Sequence, residues 1–168
     1  MLAAAGFGEK TLKLGTSKLI VTILIIQLVA ILGAMMMSYF AKKIGNVRVL
    51  IYVVLIWIAT CVCAYYITNE YQFYGLAAIV GLIMGGIQSL SRSTYSKYLP
   101  ANTPDTASFF SFYDVTEKMA IVIGLFSFAY IEEVTGNMRN SIIALASFFI
   151  IGLVFLVVLK SVEKRSVL

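Results

Sequence analysis

The sequence predicts an all-α membrane protein with five transmembrane helices. Three observations carry that prediction. Apolar runs recur at about the 20 residues a helix needs to cross a hydrocarbon core of roughly 30 Å. Alternating segments of about ten residues, the mark of a membrane barrel, are absent, so backbone groups inside the bilayer must be satisfied within helices. The 168 residues are 61% hydrophobic and 12% charged, against roughly 45–50% and 25% in soluble domains, which sets most side chains against lipid or other helices.

In chain order, residues 1–18 are too short to span and read as an extracytoplasmic segment, with Thr16 and Ser17 available as helix caps. The run 19–40 is longer than the core of a signal peptide and lacks a small-x-small cleavage site, so it is expected to stay in the membrane. Its strongly polar Gln27, with Ala30, Ala34 and Ser38 near the same face, predicts a side turned towards protein. Residues 41–48, AKKIGNVR, read as a short basic turn around Gly45 and Asn46. The second span, 49–67, carries Trp57 and the Tyr65–Tyr66 pair as candidates for an interface belt. Cys61 and Cys63, two apart on a helix, point in different directions and cannot share a metal or a disulfide; both are expected as small core residues.

Thr68, Asn69 and Glu70 turn the chain into a third span, 71–90, whose helix continues to 99 along a polar stretch. The segment PANTPD, 100–105, breaks it. There Thr103 is placed to cap a fourth helix, with Pro104 in its first turn and Asp105 complementing the helix dipole. The fourth span, 109–134, is closed by Thr135, Gly136 and Asn137, and the fifth, 142–159, is followed by Lys160, Lys164 and Arg165. Residues 19–168 thus form one helical membrane domain.

The thirteen basic residues are scattered between spans, not gathered into a stripe, which argues against a nucleic-acid partner. Their distribution is topological. Lys42, Lys43, Arg48, Arg92, Lys97, Lys160, Lys164 and Arg165 fall on one side, and Lys10, Lys13, Lys18 and Arg139 on the other, so the C-terminus is expected in the cytosol and the N-terminus outside. Five spans with an outside start lead to the expectation of a preceding segment. The absence of His excludes imidazole metal sites and His-dependent catalysis on this chain, and no metal or cofactor is expected.

Two polar faces stand out from the apolar background. Gly81, Gly85, Gln88 and Arg92 fall within about a 60° arc of the third helix. Glycines four apart let another helix approach closely, while Gln88 and Arg92 offer an amide and a fixed cation on the same line. Packing glycines with a snorkelling Arg, and a polar lining, are both open readings. On the fourth helix Asp114, Glu117 and Lys118 sit at i, i+3 and i+4, with Ser111 one turn earlier. The spacing allows an Asp114–Lys118 ion pair, but Arg92, at the cytosolic end of the third helix, is the expected partner for Asp114 or Glu117. Three such charges at mid-membrane cost roughly 8–10 kcal/mol, whereas the eleven Leu, Ile, Val and Phe residues between Phe109 and Ile131 return about 3–7. This face should therefore turn inward, either to fix helix packing or to meet a polar solute or a proton. A hydrolase built on Asp114 and Glu117 is disfavoured, because no nucleophile–base pair is evident; no enzyme is expected.

With GGIQSLSRSTYSKYLP (85–100), FFSFYDVTEKMAIVIG (109–124) and TGNMR (135–139), the chain resembles the C-terminal part of a major facilitator superfamily transporter. The similarity is to the vacuole effluxer-like branch, which includes the fungal autophagy-related amino-acid effluxer. It implies helices eight to twelve of a twelve-helix fold whose two halves enclose a central path. It also implies an integral membrane protein of the cell (inner) membrane, with the lipid bilayer, a missing N-terminal half or second copy, and a small polar solute as partners. Gln88, Arg92, Asp114, Glu117 and Lys118 would line the path, with Gly81, Gly85 and Gly86 packing the helices. A weaker match covers 38–50: Gly45 fits the superfamily's cytosolic loop pattern, but Ser38 and Lys42 stand where it has Gly and Asp, so that Asp's gating ion pair does not carry over. Gly124-Leu125 likewise replaces the Gly-Pro of many relatives, and no proline kink is expected. Secondary transport by alternating access is the function implied; a non-transporting membrane subunit, with these residues only joining helices, is the alternative.

Overall fold

The computed structural model describes residues 15–100 and 105–166, the last three by backbone alone. Its five helices are α1 (Thr16–Ile44), α2 (Asn46–Tyr66), α3 (Glu70–Tyr98), α4 (Thr106–Thr135) and α5 (Met138–Ser166). At 1.5 Å per residue even the 21 residues of α2 rise about 30 Å, enough to cross a bilayer core. Four of them, α1, α2, α3 and α5, are also apolar enough to cross. α4 has the length, but Asp114, Glu117 and Lys118 interrupt its apolar sequence. The architecture is the all-α membrane protein that the composition predicts. The N-terminal segment 1–14, the cap at Thr103 and the first-turn Pro104 lie outside the described residues.

The helices are longer than the apolar runs, and the connections correspondingly shorter. Thr16 and Ser17 do not cap α1; Gly15 is the N-cap residue, and no side chain accepts a hydrogen bond there. The basic stretch 41–48 is almost wholly helical. Lys42 and Lys43 stay in the last turn of α1, where cations complement the free carbonyls, and Gly45 alone links α1 to α2. Its φ of 91° is strained for any residue with a side chain, and its N–H donates to the Ala41 carbonyl at 3.0 Å. Asp105 is the N-cap of α4, not a first-turn residue, because its carboxylate accepts from the Ser108 N–H at 3.2 Å. Gly136, at φ 64°, closes α4 by donating to the Glu132 carbonyl at 2.9 Å.

α1 packs along α3, α2 packs on both α3 and α5, and α4 lies along α5. Lys42, Lys43, Arg48, Lys97 and Lys160 gather at the end where α1, α3 and α5 finish and α2 and α4 begin. Near this basic end Met37, Ala41, Val49, Leu50, Val53, Ile83 and Leu90 form one core. The far end has another, built from Cys61, Ala64, Ile67, Phe73, Phe128, Met138 and Ile142. Polar contacts pin that far end: Lys18 pairs with Glu70 at 2.7 Å, and Tyr74 donates to Glu70 at 2.8 Å. The Arg139 guanidinium donates to the Tyr65 and Ile67 carbonyls, both at 2.8 Å, which satisfies acceptors left over at the end of α2.

Three expectations change here. The buried stripe of α1 is Thr22, Ile26, Gly33, Met37 and Ala41, so Gln27 and Ser38 are exposed and Ala30 and Ala34 half-buried. The stripe lies beside the predicted face, because α1 turns towards α3 the residues that permit the closest backbone approach. Cys61 is buried, whereas Cys63 is exposed, as two positions two apart on a helix require. Trp57 sits midway along α2 and stacks on Phe149 at 5.1 Å, which leaves Tyr65 and Tyr66 as the aromatics at the helix end.

Candidate functional site

Midway along α3 the contact with α1 is made by backbone. A methyl group on Gly81 would sit 2.6 Å from the Ile26 carbonyl oxygen, and one on Gly85 only 2.0 Å from that of Ala30. On Gly86 it would meet Met37 Cγ at 2.3 Å. From the other side, a methyl on Gly33 of α1 would lie 1.9 Å from the Leu82 carbonyl oxygen. Helix association in lipid depends on such close packing, because apolar side chains gain little by leaving apolar tails. Gly33 was not singled out from sequence, although it stands two turns after Ile26 and one turn before Met37 on the same stripe.

Two turns further on, α3 meets α4 through side chains. Arg92 forms an ion pair with Asp114, and their side chains remain 53% and 48% exposed, so the pair is reachable from outside the helix bundle. Aromatic residues frame it. The Tyr113 hydroxyl donates to Ser91 Oγ at 2.9 Å, and the Tyr95 hydroxyl to the Phe109 carbonyl at 3.1 Å. The Arg92 guanidinium lies 5.9 and 6.0 Å from the ring centres of Tyr113 and Phe110, at the outer edge of cation–π attraction. The rings of Tyr95 and Tyr113 are 5.0 Å apart.

Of the five candidate path residues, the structure brings Arg92 and Asp114 together. Gln88 is exposed one turn before Arg92, and Glu117 is half-buried about one turn beyond Asp114. Lys118 is exposed, and the Asp114 carboxylate that its spacing could reach is turned to Arg92 instead. A guanidinium has five donors in a planar fork and can lie near aromatic rings, which favours the contact between helices over the local one. In the loop pattern, Ser38 and Lys42 are exposed beside Gly45. Tyr95, Phe110 and Tyr113 were not singled out from sequence. The signal was present in the spacing, since Phe110, Tyr113, Asp114 and Glu117 fall at i, i+3, i+4 and i+7 along α4. Among the described residues no three Cys, Asp or Glu side chains converge as metal ligands would. What the geometry offers is an accessible cation and anion side by side, each able to exchange its partner for an ionic group of a ligand.

The family described as "Vacuole effluxer Atg22 like" matches residues 1–166. An "Uncharacterized MFS-type transporter YxiO" of Bacillus subtilis is 30% identical over 145 residues, covering 86% of this chain and 33% of that protein. "Autophagy-related protein 22" of Vanderwaltozyma polyspora is 28% identical over 160 residues, 88% of this chain and 30% of its own length. The protein of the same name from Saccharomyces cerevisiae is 28% identical over 147 residues, 80% of this chain and 27% of its own. The chain thus spans about a third of the length of these relatives. No solved structure matches it.

Proposed function

The chain belongs to the vacuole effluxer Atg22 like family, and on that footing we propose that it forms part of a secondary transporter that moves a small polar solute by alternating access. Amino acids are the solutes that the resemblance favours. The observation that carries this reading is the half-exposed Arg92–Asp114 pair between α3 and α4. Charges left open in an apolar body are expensive against lipid and suit a water-filled path or another polar surface. A zwitterionic solute matches the pair, its carboxylate replacing Asp114 at the guanidinium and its ammonium replacing Arg92 at the carboxylate. Gln88 and Glu117, about one turn away on either helix, extend the polar lining, and Lys118 flanks it. The rest of the path belongs to the helices that complete the transporter. The basic end is cytosolic in this reading, by the bias of Lys and Arg towards it.

A second reading, a non-transporting subunit in which these residues only join helices, is favoured by the Tyr113–Ser91 and Tyr95–Phe109 hydrogen bonds, which tie α3 to α4 without any charge. One paired experiment separates the two, using thermal stability and solute counterflow of the assembled protein in vesicles. Asp114→Asn should destabilise by about 1 kcal/mol or less, the scale of a half-exposed ion pair, and adding Arg92→Gln should recover that loss. Under the transport reading the double variant stays folded and loses flux; a double variant both stable and fully active reduces the pair to packing. Orientation is tested separately. With an impermeant thiol reagent outside, a cysteine replacing exposed Asn69 should react and one replacing Lys43 should be protected.

A further inference from the structure

We propose that the basic end holds a binding site for the phosphate-bearing headgroup of an anionic lipid, in a cavity where the α1–α2 junction meets the last turns of α3 and α5. It uses none of the candidate path residues and does not depend on transport. The cavity, about 700 Å³, is lined by Arg48 from α2, Lys97 from α3 and Lys160 from α5, against, among the described residues, the one carboxylate of Glu163. That carboxylate is hydrogen-bonded to the Tyr98 side chain. Lys97 is held in place. Its ammonium donates to Asn46 Oδ1 at 2.9 Å, while the buried Asn46 amide donates to Ser93 Oγ at 3.4 Å. An ammonium has three donors, so two remain for a ligand.

Three cations brought together from three helices repel one another, and an anion seated among them removes that cost. The first turn of α2 adds to the attraction, since Asn46, Val47 and Arg48 line the cavity and no side chain caps that helix. The volume falls within the roughly 300–1,000 Å³ of pockets that enclose organic ligands, more than a bare phosphate ion fills. Ile44 and Val47 give one wall an apolar surface, suited to the glycerol and upper chain of a lipid. The cavity also lies at a helix end, the depth at which headgroups sit, and basic pockets between transmembrane helices have this recognised use.

The test uses the whole chain, purified in mild detergent and reconstituted in phosphatidylcholine nanodiscs with increasing phosphatidylglycerol. Lipid retention is read by native mass spectrometry, and folding by the unfolding midpoint in pure phosphatidylcholine. Phosphatidylglycerol should be retained over phosphatidylcholine, and R48Q/K160Q should weaken its retention about 30-fold, at roughly fivefold per basic residue. K42Q/K43Q removes the same charge outside the cavity and should change retention less than twofold. Glu163→Gln should tighten it. Equal losses in both double variants would mean diffuse surface attraction and overturn the proposal. Displacement of the lipid by equimolar inorganic phosphate or glycerophosphate would assign the site to a free phosphate and overturn it too. Should R48Q/K160Q alter the midpoint in phosphatidylcholine, Lys160→Gln alone, at an exposed position, should still show the roughly fivefold loss.

Discussion

α3 meets α1 through glycine and backbone, whereas it meets α4 through an ion pair and two tyrosine hydroxyls. The first contact has no slack. Gly33, Gly81, Gly85 and Gly86 bring main chains so close that a single added methyl would overlap carbonyl oxygens or the Met37 side chain. The second is made by side chains with several rotatable bonds, on a helix whose one buried residue among those described is Phe128. Dispersion falls steeply with separation, so the glycine contact is lost by small displacements, while the polar contact can be remade across a range of them. The difference divides the molecule into a frame, α1 with α3, and an adjustable helix, α4. That division suits the transport proposed above, in which polar groups would change partners.

The sharpest way to break the comparison is to fill the glycine contact. Gly85→Ala places a methyl 2.0 Å from the Ala30 carbonyl oxygen, and Gly33→Ala places one 1.9 Å from that of Leu82. Each should destabilise by about 1–3 kcal/mol or more, the cost of overpacking when the neighbour is backbone and cannot rotate away. Gly124→Ala on α4 has no neighbouring atom within 4 Å and should be neutral or slightly stabilising, since Ala is the better helix former. Unfolding in mild detergent measures all three. If Gly85→Ala and Gly124→Ala behaved alike, α1 and α3 would not form the frame described.

A smaller change sharpens the other side. Tyr113→Phe removes one hydrogen bond, to Ser91, and leaves the ring beside Tyr95. It should cost about 0.5–1.5 kcal/mol, less than either seam glycine. Combined with Gly85→Ala, the two losses should add to within about 0.5 kcal/mol, because the sites share no partner. A larger coupling, measured by the same unfolding experiment, would show that α4 is bound to the frame and does not adjust independently.

How much of this was legible before the structure follows from what lipid hides. The helices, the Gly136 stop and the all-α class come from length, apolarity and glycine, which act along the chain. Which face of a helix is buried does not, because in a membrane both the buried and the lipid-facing sides are apolar and the usual contrast disappears. Ile26 and Gln27 show the consequence. The polar residue drew attention, yet its neighbour is the one buried at 1% exposure. Charged residues escape this ambiguity because their cost in lipid is large, which is why Arg92 and Asp114 could be named as candidate partners. Tyr95 and Tyr113 could not, since a tyrosine is as much at home at an interface as in a polar cluster. Lys18 and Glu70 lie 52 residues apart, and no spacing rule joins them.

The mildest expected effect concerns the start of α4, where the adjustable helix is anchored. Asp105 caps it, and hydrogen bonds from Ser108, its hydroxyl first and its backbone N–H second, hold the Asp105 carboxyl below the usual carboxylate range. The sign follows directly. A carboxyl whose folded value is depressed stabilises fully above its unfolded pKa of about 3.9 and loses that contribution as pH falls through the lower, folded value. Between pH 5 and 8 the cap should therefore be constant, and only stronger acid should loosen it. Hydrogen exchange at the Ser108 amide reads the effect locally. Asp105→Ala should speed that exchange at every pH. Asp105→Asn, an equally good cap without a charge, should keep the protection and abolish its acid dependence. If Asn behaved like Ala, the ionised carboxylate would be anchoring α4 through its charge on the helix dipole and not through the hydrogen bond. If protection instead fell near pH 6, some other group would control this end of the helix, and the polar side of the comparison would need a different anchor.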